Sequence, residues 1–344
     1  MLIIVASVIN TTYMEYAYLG RTGVKVSSLC FGTMSFGGIA DEGTSQKMFH
    51  LCRDRGINFF DCANVYEGGK SEELLGKFIK DCRNEVFITS KVFFPTGKEV
   101  NARGTSRYHV RQAVEDSLCR LQTDHIDLYF IHHFDEGTPI EETMMVLNDL
   151  VRQGKVLYLG ASNFAAWQVA KALGISSQMG WSRFECIQPM YNLVKRQAEV
   201  ELLPMAHSEE VGVISYSPLA GGILTGKYSN RHQKPTEGRL LSNKMYQLRY
   251  GDGWIQEVAD AFTELATKKG LDPVSLAIAW VQAHPAITAP IIGARNLQQL
   301  ESSLNAVDVP MTEELWREIA SLSPEPPPAT DRSEEQKDYG YGKR

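Results

Sequence analysis

The sequence predicts an α/β protein folded as a (β/α)8 TIM barrel, and three observations lead there. Eight short apolar runs rich in β-branched and aromatic residues recur along the chain, at residues 29–32, 58–61, 86–91, 128–132, 157–162, 186–188, 213–217 and 290–293. Segments of helical period separate them. Strands that alternate with helices run parallel and cross over right-handedly, so eight such units close most economically into one barrel. The chain has 344 residues, 43% hydrophobic and 22% charged, enough to bury a core of that size. A doubly wound parallel sheet shares the alternation and is the rival architecture.

Taken in order, residues 1–13 read as an N-terminal extension. Their apolar stretch LIIVASV is far shorter than the roughly 20 residues of a membrane span and has no positive residue before it. Met14 opens MEYAYLGRTG, the more natural start. Residues 14–322 form the barrel domain, entered through a hairpin at 17–28. The clearest helix begins at Thr138, with Pro139 at the first helical position, Glu141 completing a capping box, and Ile140, Met144, Leu147 and Val151 on one face. A second runs from Ser106 through Val110, Val114, Leu118 and Leu121. A long loop follows the seventh strand, and residues 323–344 combine proline with charge as a tail or a strap over the barrel.

Composition narrows the function. The net charge is −6 with no basic run, which argues against nucleic acid and anionic membranes as partners. Six scattered cysteines with no CxxC pair and no Cys/His zinc spacing read as reduced thiols in a cytoplasmic protein. Residues 221–227 satisfy GxxxxGK, but Tyr228 stands where a triphosphatase loop needs Ser or Thr for magnesium. The GRTG at 20–23 lacks the spacing of a dinucleotide fingerprint.

In a barrel the chemistry gathers at the C-terminal ends of the strands. That end carries Asp61, Lys91, His132, Ser162 with Asn163, Gln188, and Tyr216 with Ser217. Singly these have ordinary readings as caps, solvated strand ends or loop aromatics. Brought to one mouth, Asp61 and Lys91 would pair, and Tyr66 would reach the ammonium. A neighbouring cation favours the phenolate, so Tyr66 is predicted below its usual value of about 10. Two unit charges about 4 Å apart interact by roughly 4 kcal/mol at an effective dielectric near 20, enough for two to three pKa units at most. Such a phenol can donate a proton to a carbonyl oxygen, with His132 sharing that oxygen.

The stretches LGRTGVKVSSLCFGTMSFGG, NFFDCANVYEGG, ITSKV, DLYFIHHFD, GASNF, IQPMYNL, SYSPLAGGILTGKY and IIGARNLQQLESSL resemble, in order and spacing, the aldo/keto reductase superfamily over about residues 18–305. The likeness is to its bacterial-type members and to the branch of the potassium-channel β subunits. It implies a catalytic tetrad of Asp61, Tyr66, Lys91 and His132, with Tyr66 as general acid and His133 at a substrate-pocket position. It implies NADP(H) as cofactor, bound extended across the barrel mouth, and a small carbonyl compound as substrate. Asp61, Ser162, Asn163 and Gln188 would hold the nicotinamide end, Tyr216 would stack on its ring, and Thr33 and Met34 would line the pocket. Ser217, Pro218, Leu219, Ala220, Gly221 and Lys227 would span the pyrophosphate. Gly293, Arg295 and Gln299 would receive the 2′-phosphate and adenine on a short helix starting near Asn296. Ser302 and Ser303 depart from the Glu and Asn that usually contact adenine. Phe36, Phe93, His133 and Phe134 suggest an aromatic substrate pocket.

Two other functions remain on the page. A metal-dependent hydrolase would use His132, His133 and Asp135, but neighbouring residues of one strand point to opposite faces. A nicotinamide-binding, redox-sensing subunit of a partner protein is the second, by analogy with the channel β subunits, which depart from the family at the catalytic histidine that this chain retains. The sequence leaves the oligomeric state open.

Overall fold

All eight predicted runs are strands, and they are apolar because both faces are covered, one by the barrel interior and one by helices. The computed structural model describes residues 14–228 and 238–332. The expected extension at 1–13, the segment 229–237 of the long loop and the last part of the tail lie outside the described residues; residues 323–332 carry no helix or strand. An antiparallel hairpin, β1 (Tyr16–Tyr18) and β2 (Lys25–Ser27), comes first. There follow β3 (Cys30–Gly32), β4 (Phe59–Asp61), β5 (Phe87–Val92), β6 (Ile126–Ile131), β7 (Val156–Ser162), β8 (Phe184–Gln188), β9 (Gly212–Ser215) and β10 (Ala289–Ile292). These eight pair in parallel and close into a barrel, with β10 bonded to both β9 and β3.

Strand alternation builds the interior. Cys30, Phe59, Phe87, Leu128, Phe130, Cys186, Ile214 and Ala289 form one buried cluster, joined by Leu19 and Val26 of the hairpin segment. The hairpin therefore stoppers the end at which the strands begin. Gly20 makes that closure possible: its φ is +52°, and a Cβ there would lie 2.8 Å from both the Glu210 carbonyl oxygen and the Gly212 nitrogen. A larger cluster, with Phe31, Phe60, Ile88, Tyr129 and Ile187, fills the space between strands and helices. Counting by twos from the inward residues reaches Asp61, Lys91, His132 and Gln188 at the other end.

The helix Arg107–Leu121 starts as expected, its N-cap Ser106 accepting from the His109 N–H. The helix Ile140–Arg152 does not. Pro139 takes the N-cap position without a side-chain bond, and the Thr138 hydroxyl instead donates to Asp135 at 2.9 Å. The expected capping box is absent because the helix starts one residue later, with Pro139, which has no side-chain acceptor, at the N-cap; Glu141 and Glu142 in the first turn supply favourable charge toward the helix dipole. Among the described residues no helix is long and apolar enough to cross a membrane. All six cysteines are free thiols, and Cys30, Cys52, Cys62 and Cys186 are buried.

Candidate active site

Asp61 ends β4 and Lys91 lies one residue before the end of β5, and parallel pairing sets Asp61 beside Thr89 and Lys91 beside Phe130. Lys91 is completely buried and donates to Asp61 Oδ2 at 2.7 Å, to the Cys62 carbonyl at 2.7 Å and to the Tyr66 hydroxyl at 3.2 Å. These use all three ammonium hydrogens. The other carboxylate oxygen accepts from Thr89 Oγ1 and Gln188 Nε2, each at 2.8 Å. A buried ion pair is tolerable only when its remaining hydrogen-bonding capacity is met, and here it is. Burial works against the Lys91 charge, but Asp61 and Tyr66 outweigh it and hold the ammonium well above its ordinary value.

Tyr66 opens a 3-10 turn, Tyr66–Gly69, and its ring lies 4.8 Å from the Lys91 ammonium. The expectation of a lowered phenol is corrected here. Burial raises Tyr66 to about 12, more than the Lys91 charge lowers it, and Asp61 adds to the rise. Lost hydration explains the sign, and Asp61 offsets part of the field that Lys91 alone would exert. The phenol is therefore protonated at any physiological pH, as a proton donor must be.

His132 follows β6, its N–H bonded to the Val92 carbonyl at 2.9 Å, and its ring stands edge-on to Tyr66 at 6.0 Å and to Phe94 at 4.9 Å. Burial, with Lys91 and His133 adding to it, holds this imidazole well below its usual range, so it is neutral. His133 points elsewhere and stacks on Phe93 at 5.2 Å. Asp135 is spent on Thr105, Gly137 and Thr138. Among the described residues no three His, Cys, Asp or Glu side chains come together as a metal site.

Around this centre the remaining predicted residues fall into two groups. Ser162, Asn163, Gln188 and Tyr216 form a chain: Tyr216 donates to Asn163 Oδ1 at 2.7 Å, Asn163 Nδ2 donates to the His132 carbonyl and to Ser162 Oγ, and Ser162 Oγ donates to the Gln188 carbonyl. Tyr216 and Ser217 lie just past β9 rather than on it. Leu219 and Ala220 adopt successive right- and left-handed conformations (φ −89° and +49°), the backbone pairing of an N–H nest, in which the Ala220 N–H is itself bonded to the Ser217 carbonyl at 2.9 Å. Lys227 lies across the same turn, its Nζ 3.1 Å from where a Gly222 Cβ would be. Pro218 and Gly221 complete that turn. On the other side, Asn296 caps the helix Leu297–Leu304, and Gln299 Oε1 accepts from the Arg295 N–H at 3.1 Å. Gly293 precedes them, exposed at the end of β10. Arg295 makes no salt bridge among the described residues and directly precedes the cap of that helix.

Two residues lie elsewhere. Thr33 is fully buried with its hydroxyl on the Asp61 carbonyl and Ser71, and offers nothing to the mouth, whereas Met34 beside it is exposed. Phe36 is core, packed on Phe31 and Phe78, because the turn after β3 folds back under the helix Lys70–Ile79. Sequence reasoning in turn missed Thr89, Phe94 and Asn192. Thr89 sits two residues before Lys91 and so on the same face, a signal that alternation alone provides. Asn192 donates to the Ser217 carbonyl at 2.9 Å and holds the start of the nest, a contact that spacing does not announce. Ser303 turns its hydroxyl back onto the Gln299 carbonyl.

A parallel barrel with an ion-paired lysine, a tyrosine and a neutral histidine at its mouth is the arrangement of a carbonyl oxidoreductase. The family model for the aldo/keto reductase family matches residues 28–324, and the chain belongs to that family. It is 39% identical over 327 residues to an uncharacterized oxidoreductase of Bacillus subtilis, covering 91% of this chain and 97% of that protein. It is 34% identical over 304 residues to a probable voltage-gated potassium channel subunit beta of Arabidopsis thaliana, covering 86% and 92%. A versiconal hemiacetal acetate reductase of Aspergillus parasiticus is 33% identical over 327 residues, covering 88% and 94%.

Proposed function

We propose that this chain is an NADP(H)-dependent cytoplasmic enzyme that reduces an aldehyde or ketone to the alcohol, with Tyr66 as general acid. One observation carries the reading: a fully buried ammonium shared between Asp61 and the Tyr66 hydroxyl, with a neutral imidazole beside it. A bound nicotinamide would supply the hydride for the carbonyl carbon. Tyr66 supplies the proton to the carbonyl oxygen, and Lys91 stabilises the phenolate left behind. His132, neutral and a donor, would hold the same oxygen as negative charge develops on it. Ser162, Asn163 and Gln188 would hold the carboxamide, Tyr216 the ring, the nest at 217–221 with Lys227 the pyrophosphate, and Arg295 with Gln299 the 2′-phosphate end. The half-buried rings of Phe93, Phe94 and Phe134 wall the mouth and suit a planar, apolar substrate.

The test is oxidation of NADPH in the presence of an aromatic aldehyde, followed by absorbance, for the parent and for Tyr66→Phe. The parent should turn over, and the variant should lose at least about 10²-fold in the chemical step while still binding NADPH. The likeness to plant channel β subunits favours a second reading, a nicotinamide-binding redox sensor that serves a partner. A parent that binds NADPH but reduces none of a panel of carbonyl compounds would favour that reading over the first.

A further inference from the structure

We infer that the pair of buried Glu72 with partly exposed Arg120, on the outside of the barrel, sets the distance between Tyr66 and Lys91, which makes Glu72 a positioning residue for the proton donor. The inference rests on the proposed role of Tyr66. Lys91 points into the mouth, so its neighbour Ser90 points outward to the helices. There Ser90 Oγ donates to one oxygen of Glu72, and Arg120 Nε donates to the other at 2.7 Å. Glu72 is fully buried in the first turn of the helix Lys70–Ile79, six residues after Tyr66.

The turn between them is the reason an external anchor is needed. Glu67, Gly68 and Gly69 all have positive φ, at 48°, 64° and 94°, and two of the three are glycines with no intrinsic preference for that geometry. The turn is therefore held by what it touches. Arg120 lies along it, with Cδ only 2.8 Å from where a Gly69 Cβ would be. Ser71 grips the neighbouring strand ends, donating to the Thr33 carbonyl at 2.8 Å and lying 3.2 Å from Cys62 Sγ. Residues 71 and 72 thus tie the Tyr66 turn to β3, to the residue following β4, and to β5 beside Lys91. A buried ion pair is a poor stabiliser compared with apolar side chains of the same volume, but its directional bonds fix position.

The experiment compares Glu72→Gln in two backgrounds, the parent and Tyr66→Phe, with rates expressed per NADPH-binding site. In the parent background, kcat for an aromatic aldehyde should fall by about 10- to 10²-fold, the usual effect of displacing a catalytic group by about 1 Å. KM and the NADPH dissociation constant should stay within about twofold. In the Tyr66→Phe background the same change should cost less than about twofold, because no donor remains to misplace. A parental kcat in Glu72→Gln, or an equal fold loss in both backgrounds, overturns the inference. Should Glu72→Gln fail to fold, Ser90→Ala, which removes one hydrogen bond and no charge, carries the same two comparisons. The proposed function fails differently, through a Tyr66→Phe variant as fast as the parent.

Discussion

Replacing Lys91 by Met separates what the ion pair does for the fold from what it does for chemistry. The change removes one charge and three hydrogen bonds, to Asp61, Cys62 and Tyr66. Asp61, almost fully buried, keeps Thr89 and Gln188 on one oxygen but loses its bond on the other. Leaving one member of a buried pair uncompensated costs about 3–5 kcal/mol, and the two retained bonds place this case near the lower figure. Removing the second charge as well, in Asp61→Asn with Lys91→Met, should recover about 2 kcal/mol relative to the sum of the single changes. Urea unfolding of the parent, both single variants and the double variant measures this coupling. Turnover should follow another course: the double variant regains stability but not rate, because the cation beside Tyr66 is still missing. Single-variant costs that add to within about 0.5 kcal/mol would refute the account of Asp61 and Lys91 as one compensated unit.

Arg295→Ala should raise the NADPH dissociation constant roughly 10- to 150-fold and spare NADH, since charge-assisted hydrogen bonds are worth about 1.5–3 kcal/mol. Equal losses for both cofactors by fluorescence titration would show that Arg295 does not read the phosphate. The pH dependence follows from two directions: Tyr66, raised to about 12 by burial, stays protonated, and His132, held well below its usual range by burial, stays neutral. Carbonyl reduction should thus show no ionisation of kcat between about pH 6 and 9, and a limb near the ordinary histidine value of about 6.5 would place His132 in water rather than against Phe94. Gly160→Ala puts a Cβ 2.4 Å from the Phe130 ring inside the barrel, so thermal denaturation should register an over-packing loss of about 1–3 kcal/mol. An unchanged melting temperature would mean that the ring has room to turn.

Relatives named as reductases and relatives named as channel subunits share this chain's family, so the family by itself leaves both proposed roles standing. In this chain Asp61, Tyr66, Lys91 and His132 occupy one mouth, with the histidine beside the tyrosine. Turnover by the isolated protein is therefore the decisive observation.

The eight strands and the residues that gather at one end of the barrel were legible in the sequence, because burial on both faces forces an apolar run and alternation of side chains is a property of extended backbone. Asp61, Lys91, His132 and Gln188 follow from counting by twos. Backbone turns were partly legible: Asn296 as a cap needs only its own helix, and the structure has it. Closure of the barrel decided the rest. Ser71, 38 residues from Thr33 along the chain, shares a buried hydrogen bond with its hydroxyl. The direction of the Tyr66 shift was out of reach too, because it depends on the balance between lost water and two opposed charges. Periodicity along the chain encodes which face a residue takes, whereas partners and desolvation are set by groups tens of residues away, and only the tertiary structure brings those together.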